Sequence, residues 1–316
     1  MAAVTLAHVA RAAHVSVSTA SAALRGSTRI NADTAAHVRA VAAGLGYRAN
    51  SAAAGLRRGD PELIGLLLSR AAFAPDPTSP RLFWPRFLTG FADGLAEAGH
   101  GMVLVTEDSM RLVAQTPIHA IAMSADPMID GRSVVPFGTP VVRWGDPRVG
   151  AFAGHDYRQI AQLVVDRLDA ADRHCAALVF TDTQIPGINL MRDELQEMAR
   201  QRGMDATMCD PSADSLRNAL AAGADAVVTP GTDVPGLLRR LKDLDQRVPD
   251  DVAVLSIAEG DIESQCDPVV THVSLCGHES GQLVAAECVR LMRGGSPAPL
   301  VLPCELIEGD SVAPRS

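Results

Sequence analysis

Two textures of apolar spacing divide the chain. Over residues 1–59 apolar positions recur at helical intervals in short blocks. Thr5 can cap a helix over Leu6–Ala12 with Val9 on its inner face. His14-Val15 then makes a turn, and Ser16 can cap a second helix that runs to about Leu24 and stops at Gly26. Asn31 can cap a third over Ala32–Leu45, where Val38, Val41 and Leu45 share a face and Gly46 follows. Helix, tight turn, helix and a supporting helix form a helix-turn-helix arrangement. Its second helix lies within the stretch VSVSTASAALRG (residues 15–26) and is built of small side chains. Val15, Ala20 and Leu24 turn inward and Ala23 allows close approach. Val17, Ser18, Ser21 and Ala22 are left facing outward.

After Asp60-Pro61 short β-rich runs alternate with helical patterns. Strands are expected at Leu63–Leu68, Met102–Val105, Ala120–Met123, Pro140–Arg143, Ala176–Phe180, Ala226–Thr229, Val252–Ser256 and Leu300–Ile307. Helices are expected near Arg86–Ala98, Tyr157–Leu168, Asn189–Arg202, Pro235–Leu244 and Gly281–Met292, with Leu237, Leu238, Leu241 and Leu244 marking one buried face. Such alternation implies doubly wound parallel sheets. A break near 145–160 suggests two α/β subdomains with a ligand cleft beyond the strand ends.

Charge changes this picture. The formal net charge is −9. Residues 1–59 nevertheless hold seven arginines against Asp33 alone, a net of +6 that leaves −15 for the remainder. A basic head on an acidic body fits a head that meets a polyanion. All six cysteines (Cys175, Cys209, Cys266, Cys276, Cys288, Cys304) lie in the second half without a CxxC pair. With no secretory signal and no apolar run of membrane-spanning length, the expectation is a reduced cytoplasmic protein with buried thiols. His272, Cys276 and His278 do not form a recognised zinc spacing, so no metal and no cofactor is expected. G-x-S-x-G, Walker A, H-E-x-x-H and G-x-G-x-x-G are missing, which argues against an enzyme.

The head can also be read by resemblance. Its frame T-L-x-x-V-A-x-x-A-x-V-S-x-S-T-x-S, then L-G-Y-x-x-N, then L-R-R-G, resembles the LacI/GalR family of bacterial transcription regulators. The segments RVPDDVAVLSI (247–257) and LPCELIEGDS (302–311) resemble that family's landmarks further on. The resemblance implies a helix-turn-helix domain over 1–48, a hinge over 49–59, and an effector-binding and dimerisation body over 60–316. That body would have two subdomains of periplasmic-binding-protein type. The implied protein is a repressor-type regulator that binds a near-palindromic DNA operator as a homodimer. A small molecule, sugar-like or nucleobase-like, would modulate it from the inter-subdomain cleft.

By the family pattern the second helix enters the major groove and Val17, Ser18 and Ala22 face the bases. Val17 and Ala22 suit apolar edges such as a thymine methyl, and Ser18 discriminates weakly. Thr5, Ser16, Thr19, Ser21, Asn31 and Tyr47 are candidates for phosphate contacts, although capping alone also explains Thr5, Ser16 and Asn31. Asn50–Arg58 resembles the hinge. Leu56 fits its minor-groove wedge, and Arg57 and Arg58 would neutralise phosphates. A flexible basic linker is the alternative, because Ala49 replaces a usual proline and Gly55 interrupts the hinge helix.

For the effector, Phe83, Trp84, Asp156 and Arg192 match cleft positions. Core packing for Phe83, helix capping for Asp156 and a surface ion pair for Arg192 compete with that reading. The family's Asn-Asp after Ala226–Thr229 is Pro230-Gly231 here, and its Gly-Phe-Asp-Asp is Ser256-Ile257-Ala258-Glu259. Two alternatives therefore stand: a regulator with an effector-free cleft, and a small-molecule binding protein without DNA function. For the hinge, Leu56→Ala should weaken operator binding in a mobility-shift titration while leaving the circular-dichroism melt unchanged; unaltered affinity would remove the wedge role.

Overall fold

The computed structural model describes residues 6–24, 30–45, 62–68, 83–106, 118–123, 139–145, 152–180, 186–231 and 233–314. In the head, α1 (Leu6–Ala12), α2 (Val17–Leu24) and α3 (Ala32–Gly44) close on Val9, Ala10, Ala13, Ala20, Ala23, Ala35, Val38 and Ala42. A core of alanine and valine is thin, so the helix backbones must lie close together. His14 takes a left-handed φ of 55° in the turn, a conformation in which His is more frequent than most residues. Leu45 departs from expectation. It stands one residue beyond α3 and is 39% exposed, because the helix ends before its side chain can turn inward.

The body contains two sheets of six described strands each. The first has the order β2 (Gly101–Val105), β1 (Leu63–Leu67), β3 (Ile118–Met123), β4 (Val141–Trp144), β5 (Phe152–His155), β11 (Leu300–Leu302), all parallel. The second repeats this order as β7 (Asp205–Cys209), β6 (Cys175–Val179), β8 (Ala226–Thr229), β9 (Ala253–Ile257), β10 (Thr271–Ser274), β12 (Glu305–Ile307). There only β12 runs antiparallel, against β10.

Alternation along the strands sets the layers. On β9, Ala253, Leu255 and Ile257 join one apolar cluster, which also takes in Ile160 and Val164 of α5 (Tyr157–Asp169) and Leu195 of α6 (Pro186–Arg202). Val254 joins another with Leu216 of α7 (Ala213–Ala221) and Leu237 and Leu241 of α8 (Val234–Asp243). Helices therefore cover both faces of the second sheet.

Three strands were not expected. β5 (FAGH) and β10 (THVS) lack a β-branched apolar run, and β7 (DATMC) is a largely exposed edge. The expected single strand Leu300–Ile307 is two. β11 completes the first sheet, Pro303-Cys304 cross over, and β12 completes the second. The C-terminal segment is anchored from several sides. Ser311 Oγ donates to the Val254 carbonyl and accepts from Thr271 N, and the fully buried Arg173 donates to the carbonyls of Pro249 and Ala313.

Against the first sheet lie α4 (Phe83–Glu97) and α9 (Gly277–Met292), which touch backbone to backbone. The contact depends on glycines four residues apart on each helix, Gly90 and Gly94 on α4, Gly277 and Gly281 on α9. A Cβ on Gly90 would run into the His278 carbonyl, one on Gly281 would lie 2.6 Å from Phe91 N, and one on Gly94 would lie 3.1 Å from Ala285 Cβ. Glycine weakens an isolated helix by roughly 1 kcal/mol, a cost offset here by the packing it permits. Gly90→Ala should destabilise the body by about 2–3 kcal/mol, measured by chemical denaturation, because two helix backbones must separate to admit one methyl.

Candidate functional site

Two places gather chemistry, the outer face of α2 and the junction of the two body subdomains. On α2, Val17 is 49% exposed, Ser18 is exposed, and Ser21 and Ala22 are half-buried. Ser16 caps the helix, its Oγ accepting from Thr19 N at 3.0 Å. The same Oγ lies 2.8 Å from Ser18 Oγ and 2.7 Å from Thr19 Oγ1. The hydroxyl of Ser18 is thus partly engaged within its own helix. Asn31 caps α3 through Asp33 N at 2.8 Å. Capping is present at both residues, and it leaves a phosphate contact open as well. Thr5, Tyr47, Asn50, Leu56, Arg57 and Arg58 lie outside the described residues.

The subdomains are joined by three crossovers, His155-Asp156-Tyr157, Ser274–Gly277 and Leu302–Glu305. His155 fastens them. Its buried ring donates through Nε2 to the Leu275 carbonyl at 2.9 Å, and the Pro303 carbonyl also faces it. Burial pushes its pKa down to about 4 and outweighs those two carbonyls, which favour the protonated form. Asp156 on the first crossover caps α5, accepting from Arg158 N at 3.0 Å and Gln159 N at 3.3 Å. Cys304 on the third is pushed up to about 11 by burial and by Cys276 on the second, so both thiols are poor nucleophiles.

One wall of the cleft is aromatic. Phe83 at the start of α4 is 5% exposed, with its ring 5.2 Å from Trp84, 5.4 Å from Trp144 and 5.7 Å from His155. Trp84 and Trp144 lie 5.6 Å apart. Together with Leu66, Leu68, Phe87, Val142 and Val284 they line a small apolar gap in the core of the first subdomain. The sequence singled out Phe83 and Trp84 but missed Trp144 and His155, which arrive from distant strands. Arg192 lies on α6, where its Nε donates to Asp193 Oδ1 at 3.0 Å.

The opposite wall contributes carboxylates that reach back to the first subdomain. Asp261 accepts from Arg86 of α4, Nε to Oδ2 at 2.8 Å and Nη2 to Oδ1 at 2.5 Å. Glu259 places Oε2 on the N-terminus of α9, accepting from Gly277 N at 2.9 Å. Burial raises its pKa, against the lowering effects of Gly277 N, Arg86 and Leu275. The sequence noted Glu259 only as a departure from a pattern. His272 turns to the Val270 carbonyl and His278 pairs with Asp93 of α4, so these sequence neighbours separate. Among the described residues no group of side chains could hold a metal ion, and no helix is long and apolar enough to cross a membrane.

The model of the bacterial regulatory proteins, lacI family, matches residues 5–50, and that of the periplasmic binding protein-like domain matches residues 152–312, half of the chain. The chain belongs to the periplasmic binding protein-like family, and its head matches the lacI family over residues 5–50. The maltose regulon regulatory protein MalI of Vibrio furnissii is 48% identical over 65 residues, 21% of this chain. The match spans 47% of that relative, about half its length.

Solved structures extend the likeness over the whole fold. A lac repressor dimer bound to operator and the anti-inducer ONPF is 19% identical with a TM-score of 0.68, covering 99% of this chain and 100% of that one. The complex of the transcriptional regulator CelR with cellobiose is 22% identical with a TM-score of 0.64, covering 98% and 99%. A LacI family regulator from Arthrobacter sp. FB24 in complex with lactose is 18% identical with a TM-score of 0.62, covering 79% and 99%. At these identities the structural likeness is one of fold.

In this periplasmic binding protein-like body the buried imidazole makes the junction sensitive to acid. His155 is neutral when folded and takes up a proton near pH 6.5 when unfolded, so its contribution is full above about pH 6.5 and is lost as pH falls toward 4. His155→Gln keeps a donor for the Leu275 carbonyl and removes the titration. It should flatten the fall in stability between pH 6.5 and 4 by about 3 kcal/mol, read from denaturant unfolding at several pH values.

Proposed function

We propose that the chain is a sequence-specific DNA-binding transcription regulator that represses by binding a near-palindromic operator as a homodimer. A small molecule in the inter-subdomain cleft changes its operator affinity. The observation that carries this reading is the outer face of α2, where a capped helix of small residues presents Val17, Ser18 and Ala22 from a basic head. Small side chains let the helix backbone approach base edges in the major groove. Val17 and Ala22 read apolar features such as a thymine methyl, and Ser18 adds weak polar discrimination. Thr5, Ser16, Thr19, Ser21, Asn31 and Tyr47 set the register on phosphates. Asn50, Leu56, Arg57 and Arg58 belong to the hinge, with Leu56 as the minor-groove wedge.

In the body, Phe83 and Trp84 supply the stacking wall for the effector, with Asp156 at the first crossover and Arg192 on α6 as polar contacts. The division is 1–48 head, 49–59 hinge and 60–316 body. Structural neighbours caught with operator, cellobiose and lactose support this division of labour. The role is regulatory and not enzymatic, and it places the protein in the cytoplasm with the DNA it reads.

Selection from a random duplex pool by the purified full-length chain tests the reading. A palindrome should be recovered, and its affinity should fall roughly a thousandfold or more between 50 and 200 mM salt as counterions are released. Recovery of no sequence above background, or a salt-independent affinity, would return the chain to a small-molecule binding protein without DNA function.

A further inference from the structure

The second and third crossovers each carry a cysteine, Cys276 and Cys304, for which the cleft has no use. Three observations bring the two together. The ladder between β10 and β12 pairs Val273 with Leu306 and Ser274 with Glu305. One step further in the same register sets Cys304 opposite Leu275, and Cys276 is the next residue on that side. The His155 ring is faced by the carbonyls of Leu275 and Pro303, the residues directly before Cys276 and Cys304. The peptide links that lead into the two cysteines thus converge on one imidazole. Cys304 is also the one cysteine of the six whose thiol is kept protonated in part by another cysteine, and that cysteine is Cys276.

The backbone of Cys276 is strained. Its φ of 48° and ψ of 50° lie in the left-handed region, which a residue with a Cβ seldom enters. This kink takes the chain from β10 straight into α9, and the Ser274 hydroxyl supports it by accepting from Cys276 N at 3.1 Å. Strain of this kind persists only where the surroundings hold it. Cys276 and Cys304 are half-buried, unlike Cys209 and Cys288, so a small reagent has access to them.

We propose that Cys276 and Cys304 are a redox pair: oxidation by a low-molecular-weight disulfide joins them in an internal disulfide that ties the second crossover to the third. The Cys276 thiolate attacks one sulfur of the small disulfide and expels a small thiol. The Cys304 thiolate then attacks Cys276 Sγ in the mixed disulfide and expels the second small thiol. Two S–H bonds give way to one S–S bond, and the reagent takes up both electrons and both protons as two thiols. Cys276 leads because the Ser274 hydroxyl counters the burial that raises its pKa, whereas Cys304 is pushed up to about 11. Burial and nearby carboxylates keep both thiols protonated, so the exchange is slow at neutral pH and the pair stays reduced until the oxidant persists. The new bond lies beside His155, which already fastens the first crossover to the other two. All three connections are then restrained together, and the angle between the subdomains is fixed in the oxidised protein. None of this depends on the DNA reading.

The test treats the reduced full-length chain with oxidised glutathione and follows it by intact mass and peptide mapping. The expected product has lost two hydrogens, carries no glutathione and yields a Cys276–Cys304 cross-linked peptide. Its rate of formation should rise about tenfold per pH unit between pH 7 and 9, as the thiolate fraction grows. The oxidised chain should melt about 3 °C or more above the reduced one. Cys304→Ser should stop at a glutathione adduct on Cys276, Cys276→Ser should form no internal bond, and Cys175→Ser should form it as wild type does. Glutathione adducts alone, a bond between other cysteines, no reaction at all, or a rate indifferent to pH each overturn the proposal. So does an oxidised chain that melts below the reduced one, since the sulfurs would then have been drawn together from a distance.

Discussion

The glycine-to-glycine contact between α4 and α9 is the constraint on which the cleft depends. Only where Gly90, Gly94, Gly277 and Gly281 remove side chains can the two helices lie against each other. That closeness brings the first turn of α4, carrying Phe83, Trp84 and Arg86, to the N-terminus of α9. Arg86 then reaches Asp261 and Gly277 N reaches Glu259, both across the subdomain boundary. A wider helix separation would part the aromatic wall from the carboxylates. The ion pair between Arg86 and Asp261 is largely exposed and contributes little by itself. Its value is in orientation.

The crossovers add a second level of restraint. One buried imidazole faces carbonyls from the other two, so a displacement of one crossover is felt by all three. His155 also belongs to the aromatic set, 5.7 Å from Phe83 and 5.7 Å from Trp144. The wall a ligand would touch and the ring that fastens the subdomains are therefore in van der Waals contact. A shift of that wall is therefore felt directly by the ring at the junction, through packed side chains.

Much of the fold was legible in local chemistry. Ser16 and Asn31 cap the helices they were expected to start, and Val38 and Ala20 mark inner faces by spacing alone. Strands rich in Val, Leu and Ile were also readable. The failures have a common cause, since burial does not require an apolar residue when the sheet supplies partners. In β10, Thr271 and His272 are buried because Ser311, Gly309 and Val270 satisfy them. The cleft was less legible than the fold. Phe83 and Trp84 are adjacent in sequence, but Arg86 and Asp261 are separated by 175 positions and Trp144 and Glu259 come from different sheets. No local pattern announces such meetings.

The split of residues 300–307 between the two sheets has a consequence for how the protein is made. The first subdomain begins at β1, yet its sheet is completed by β11 and its core by Val284, Ala285 and Cys288 of α9. While the ribosome is still translating the second subdomain, Phe87, Phe91 and Leu95 have no helix to pack against. Native pairing of β5 with β11 joins segments separated by almost half the chain, the kind of long-range contact that slows folding and exposes apolar surface in the meantime. The two subdomains thus mature together in the last moments of synthesis, and a nascent chain cut short before α9 would carry its helical head on an unfinished body.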